Sequence, residues 1–378
     1  MSTFNLLNLV DDVTLKTVTK TAMKHYGVGA CGPRGFYGTF DSHLKFETEM
    51  EKFLNVEEVI LYSYGFSTMA SAIPSYAKRT DIIFADELVN QAIYQGLIAS
   101  RSTIKFFKHN DLDHLEKLLA AQAEEDVKDP KKAKSTRRFM VVEGLYLDTG
   151  NICNLKRMVE LKYKYKVRLF VDESLSIGTL GEHGKGLTEY FNVPVDDIDI
   201  ISGNLELGFA NYGGFCAGSK YVIDHQRLSG AGYCFSASSP PMLAVAMCAT
   251  LDLLKSEGGT RQSALKNLSN TVSRRFENSS YWSVEGHADS PVKHFRLKPE
   301  TLNTCAHLEQ IVTLAAQDSD KPVLFNVAKI LENAKPRQPK VSLRVTLNCS
   351  LTEEELDSAM EMLEKFGKRM VNQNQSSI

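Results

Sequence analysis

From about residue 57 onward the chain alternates short apolar, β-branched runs with segments of helical period, and few folds accept that rhythm. The runs VEEVILYSYG, DIIFAD, TIKFFKH, RRFMVVEGLY, VRLFVDESL, DIDIISGN and GGFCAGS read as strands. Between them FSTMASAIPSYA, ELVNQAIYQGLIAS, DLDHLEKLLAAQAEE and LKRMVELKYKYK space their apolar residues three and four apart, as helices that cover a sheet must. Strands apolar on both faces and separated by helices predict an α/β fold, a mostly parallel sheet sandwiched by helices. The charged stretch 124–138, interrupted by Pro130, reads as a solvated loop. At 238–242 SSPPM breaks the pattern, and the helix MLAVAMCATLDLLKSE leads into a region of different rhythm. There YWSVEG, VKHFRLK, KPVLFNVA and VSLRVTLN predict the strands of a smaller C-terminal α+β domain, and Thr352 with Glu355 form a capping box for a closing helix. The division this implies is an N-terminal arm and interface segment over 1–55, a large domain over 56–254 and a small domain over 255–378.

Composition removes several classes of function. A chain of 378 residues with 43% hydrophobic content can bury a sizeable core, and a net charge of -2 with a pI near 6.5 gives no general attraction to nucleic acid or anionic lipid. The 7 cysteines are scattered without a C-x-x-C pair, so neither a metal site nor a redox motif is expected, and a reducing compartment is the simplest reading. The start, MSTFNLLNLVDDVTLK, lacks the basic residues and long apolar core of a signal peptide, and no run reaches the ~20 apolar residues of a spanning helix.

In such a sheet ligands bind outside the carboxyl ends of the strands, and three of those ends stand out. In YSYGFSTMAS a strand gives way to a helix through Gly65, where free backbone N–H groups suit a phosphate as readily as they make an ordinary turn. In VRLFVDESL the carboxylate of Asp172 ends an apolar strand, fitting either a partner for the protonated ring nitrogen of pyridoxal phosphate or a structural cap. The third end, GNLELGFANYGGF at 203–215, has the glycines of an active-site loop, yet no lysine occurs between Asp199 and Lys220. A Schiff base to pyridoxal phosphate needs that amine. Other residues read more plainly: His43 as a solvated or capping histidine on a polar helix face, Cys31 as a small loop residue, GEHGKG at 181–186 as a turn.

The segments GVGACGPRGFYGTFDSHLKFETEMEKFL, YSYGFSTMASAIPSYAKRTDIIFADE, VVEGLYLDTGNICNL, FVDESLSIGTLGEHGKG, DIDIISGN, YGGFCAG and FSASSPP follow in order the motifs of the α-oxoamine synthases, and the resemblance spans nearly the whole chain. These are fold-type I pyridoxal phosphate enzymes that condense an amino acid with an acyl-CoA. CGPRGFYGTFD, LKYKYKVRLF, IDHQRLSGAGYCFSAS and EGLYLDTGNIC most resemble the lysine-free long-chain-base subunits of serine palmitoyltransferase. The resemblance sets Leu207 at the family's Schiff-base lysine, Asn90 at the histidine that stacks on the cofactor ring and Leu175 at the histidine of D-E-A-H. Asp172 is retained, vestigially, as is Gly65.

It therefore implies a chain with no catalytic residue of its own, required in a heterodimer whose lysine-bearing partner holds pyridoxal 5'-phosphate covalently. That complex joins L-serine to palmitoyl-CoA, giving 3-ketodihydrosphingosine in sphingolipid biosynthesis. Residues implied to face the shared, interfacial site are Arg34, Tyr37, Gly38, Thr39, Asn90, Ser236, Ser238 and Ser239, while Arg344 matches the arginine that holds the substrate carboxylate. Members of this group begin with a membrane helix upstream of the segment that STFNLLNLVDD resembles. The implied location is the cytosolic face of the endoplasmic reticulum membrane, reached through the complex. Two alternatives are an independent enzyme using Lys220 as a displaced Schiff-base lysine, and a purely regulatory pseudoenzyme.

Overall fold

The computed structural model describes residues 1–318, 321–329 and 338–375. Its large sheet has 7 strands, β1 (Glu58–Tyr62), β2 (Ile82–Asp86), β3 (Thr103–Phe107), β4 (Arg138–Glu143), β5 (Arg168–Asp172), β6 (Ile200–Asn204) and β7 (Gly214–Gly218), in the order β1-β7-β6-β5-β4-β2-β3. All pairings are parallel except those of β7, which runs antiparallel to both β1 and β6. Every strand the sequence predicts in this region is present. The reason is visible in β4, where Phe139 and Val141 join the core on one face while Met140 and Val142 join that on the other.

Helices α1 (Val13–Tyr26) and α2 (Asp41–Leu54) pack on the helix Pro241–Glu257. On the opposite face α3 (Gly65–Tyr76) packs against α4 (Gln91–Ser100). The loop expected over 124–138 is instead helical for most of its length: α5 (Leu112–Lys128) runs on through it, and α6 (Pro130–Ser135) restarts at once. Proline is compatible with the first turn of a helix, and the Asp129 side chain accepts from the Lys132 N–H, so this proline marks a restart and not a loop. Of the two readings of His43 the capping one holds, its Nδ1 accepting from the Phe40 N–H, and the solvated one does not. His43 is fully buried, because it shares the α2 face carrying Phe46, Met50 and Phe53.

A second sheet, β8 (Trp282–Glu285), β9 (Val292–Leu297), β10 (Asn326–Ala328) and β11 (Ser342–Thr346), is antiparallel in the order β10-β11-β9-β8. The run 321–328 yields only its last residues to β10, an edge strand whose N-terminal side carries Pro322, which has no N–H to give a ladder. The start of the chain is stitched to this sheet: Met1 O accepts from Thr346 N–H at 3.2 Å and Leu6 O from Cys349 N–H at 2.8 Å. Thr352 and Glu355 make the expected reciprocal cap on the closing helix Glu353–Gln375. Among the described residues no helix is long and apolar enough to cross a membrane.

Candidate active-site cleft

The parallel register lines Glu143, Asp172 and Ser202 up at the carboxyl edge of the large sheet, with Asn204 opposite Gly214. Over that edge lies a cleft of about 260 Å³ whose walls include Gly65, Phe66 and Thr68 of α3, Asn90 before α4, Leu147, Leu175, and Asn204, Glu206 and Leu207 of the β6–β7 turn. Gly65, Asn90, Asp172, Leu175 and Leu207, far apart in sequence, thus meet in one place.

Asn90 is the N-cap of α4. Its Oδ1 accepts from the Ile93 N–H at 3.0 Å and its Nδ2 donates to Asp172 Oδ2 at 2.9 Å. The other carboxylate oxygen of Asp172 accepts from the Ser174 N–H at 2.9 Å and from the Ser174 hydroxyl. Burial raises the Asp172 pKa above the ordinary carboxylate value, and the Ser174 and Asn90 donors pull against that rise. Behind it, burial pushes Glu173 up to about 7, although the Ser176 hydroxyl and the Leu187 N–H bond to it. The Ser202 hydroxyl, fully buried at the floor, has no hydrogen-bond partner among the described residues.

Pyridoxal phosphate asks three things of its site: an amine to hold it, a carboxylate free to face its ring nitrogen, and an end that accepts a dianion. This cleft does not fit. No lysine or histidine lines it, so the amine is missing, while Asp172, which accepts from Asn90 and Ser174, keeps lone pairs for a further donor. Its walls can bind, shape and exclude water, but they offer no amine to form a Schiff base.

The early loop and FSASSPP form a second cluster beside the cleft. Ser238 N–H donates to Gly32 O at 2.9 Å, its hydroxyl donates to Gly38 O, and the Ser63 hydroxyl reaches Ala237 O. His43 Nε2 meets Ser239 O at 2.7 Å while its Nδ1 accepts from the Phe40 N–H; burial first, then Arg34, lowers its pKa. Arg34 is not poised toward a ligand. Its guanidinium forms a two-point pair with Glu47, at 2.8 and 3.0 Å, with side-chain exposures of 3% and 6%, and its Nε donates to Thr39 Oγ1. Ser238 and Ser239 are likewise buried as struts, whereas Tyr37, at 86% exposure, faces outward and Ser236 is half-buried. Arg344 lies apart on β11, its guanidinium 5.0 Å from the Phe4 ring, and burial lowers its pKa. Lys220 cannot stand in for the missing amine: it begins a helix at the far end of β7 from Gly214, exposed and outside the cleft.

Asn204 and Glu206 went unrecognised in the sequence, although both stand in the quoted turn.

The chain matches the aminotransferase class I and II family over residues 4–363. It is 36% identical over 379 residues to serine palmitoyltransferase 1 of Dictyostelium discoideum, covering 98% of this chain and 78% of that protein. With long chain base biosynthesis protein 1b of Oryza sativa subsp. japonica it shares 38% identity over 364 residues, covering 96% and 74%. Among solved structures, serine palmitoyltransferase of Sphingomonas wittichii superposes with a TM-score of 0.84 at 24% identity, covering 98% of this chain and 87% of that one.

Proposed function

The chain belongs to the aminotransferase class I and II family and, within it, to the serine palmitoyltransferase 1 and long chain base biosynthesis protein 1 proteins, and from that premise we propose that it is the lysine-free subunit of a serine palmitoyltransferase. The observation that carries the reading is Leu207, which stands at the mouth of a family-shaped cleft that no lysine lines. In the proposed complex a lysine-bearing partner holds pyridoxal 5'-phosphate and joins L-serine to palmitoyl-CoA, and this chain supplies walls and contacts. Bound there, that cofactor would supply the electron sink the condensation needs. This chain's part is to keep the neighbouring surface ordered and dry.

The surface suited to that partner is aromatic. Phe36, Tyr37, Tyr64, Phe66, Tyr212 and Phe235 are all between 47% and 87% exposed; the Ser63–Ala237 and Ser238–Gly38 hydrogen bonds join the segments of five of them, and Tyr212 packs its ring 5.9 Å from that of Tyr64. Large aromatic side chains left in water around a cleft mark a contact surface more often than a free one. The buried Arg34–Glu47 pair, Thr39, Ser238 and Ser239 hold this surface in shape, Tyr37 and Ser236 meet the partner, and Arg344 keeps a position without keeping its substrate. Attachment to the endoplasmic reticulum membrane then comes through the complex.

Two measurements test the proposal. The purified chain should show no visible absorbance of an internal aldimine and no lysine labelled after borohydride treatment. Co-expression with a lysine-bearing partner should yield 3-ketodihydrosphingosine synthesis that neither chain gives alone. A borohydride-trapped cofactor on any lysine of this chain refutes it.

A further inference from the structure

The family likeness accounts for the loss of the amine, but not for what occupies the rest of the turn. α3 starts at Gly65 with no side chain capping it, so its first backbone N–H groups and the positive end of its dipole face the cleft. In an unmodified cleft that end would welcome an anion. Here the β6–β7 turn packs against it and narrows it. A Cβ placed on Gly65 would lie 2.5 Å from Asn204 Cγ and 2.7 Å from its Nδ2, so the Asn204 amide already presses on the start of α3. Its Oδ1 accepts from the Glu206 N–H at 2.6 Å and its Nδ2 points to Glu206 Oε2 at 3.3 Å, which binds the glutamate to the same corner. The carboxylate of Glu206 then lines the cleft together with Gly65, Phe66 and Thr68.

We propose that Asn204 and Glu206 form a built-in barrier that keeps pyridoxal phosphate out of this chain's own cleft by denying its phosphate the start of α3. The barrier is steric and electrostatic at once: the amide takes the space and the carboxylate repels a group that carries about -1.5 to -2 charges at neutral pH. It is independent of Leu207. A lysine restored at 207 alone would face a cleft that still rejects the phosphate. The inference rests on the proposed lysine-free role, and explains how a complex with two similar clefts loads its cofactor into one of them.

The test is equilibrium dialysis of the full chain against pyridoxal phosphate, with pyridoxal, which lacks the phosphate, as the control ligand. The variants are Glu206→Gln, which keeps size and removes charge, and Asn204→Thr with Glu206→Ser, which removes both obstacles; circular dichroism checks that each is folded. Pyridoxal phosphate should bind the double variant at least tenfold more tightly than the unaltered chain, Glu206→Gln should give part of that gain, and pyridoxal should be indifferent to both. Equal affinity for pyridoxal phosphate in all folded forms, or an equal gain for pyridoxal, overturns the barrier. Failure of the lysine-free reading would look different, as a borohydride-stable cofactor on the unaltered chain.

Discussion

The Arg34–Glu47 pair offers the sharpest test of the geometry. Both side chains are almost fully buried, Arg34 donates twice to Glu47 and once to Thr39, and Glu47 also accepts the Leu61 N–H at 2.8 Å. Burial alone would lower the Arg34 pKa, but its bonds to Glu47 more than reverse this, so the guanidinium stays charged. Removing one partner strands the other charge in a dry site, and such losses cost about 3–5 kcal/mol. Arg34→Met and Glu47→Leu should each fall in that range. The double variant removes both charges and leaves chiefly the Leu61 N–H unpaired, a loss of about 1–3 kcal/mol. The double variant should therefore be more stable than either single one, with a coupling energy above ~3 kcal/mol in a double-mutant cycle. Urea unfolding followed by circular dichroism measures it. Single variants within about 1 kcal/mol of the unaltered chain, or a double variant no better than the worse single, would refute the buried pair.

Glu173 should give stability a pH dependence. The native state holds its proton up to about 7, whereas a free glutamate releases it near 4.5, so its contribution is complete below 4.5 and is lost as pH rises through 7. Glu173→Gln, uncharged throughout, should then be ~3 kcal/mol more stable than the unaltered chain at pH 8, with the advantage vanishing by pH 4 in urea titrations. Gly38→Ala would put a Cβ 1.8 Å from Gly32 O, while Gly35→Ala meets nothing within 4 Å. Thermal unfolding should show a loss of more than about 1 kcal/mol for the first and little change for the second. Phe235→Asp, at a position 87% exposed, should leave the isolated chain within about 0.5 kcal/mol of its original stability but reduce co-purification with the proposed lysine-bearing partner.

Much of this molecule could be read in its residues, and the failures share a physical cause. Strands buried on both faces announce themselves as near-continuous apolar runs, as in β4 and β5, while the edge strand β3, only its Phe107 buried, is legible from its β-branched and aromatic residues between two helical segments. Partnerships across sequence leave no local trace: nothing near Arg34 foretells the buried pair it makes with Glu47. His43 caps its helix as expected, but its burial follows from its spacing from Phe46 and Met50 and not from its residue type. In the cleft, Asp172, Asn90 and Leu207 were found because a known pattern marks them, while Asn204 and Glu206 act only through a contact with Gly65 that folding creates.

The reversal of β7 has a consequence for how such a chain can change over time. Because β6 and β7 are antiparallel neighbours, the turn between them is pinned at its base by the bond from Leu205 N–H to Gly213 O and anchored by the buried side chains of Leu205 and Phe209. Position 207 is held in place by its neighbours whatever side chain it carries. Leu207 is only partly buried, and a long amine stem could rest along the same wall with its head in water. Folding therefore exerts little control over the chemistry at that socket. A lineage can discard or regain a lysine there as freely as a lamp changes its bulb, and only the demand for activity decides which it keeps.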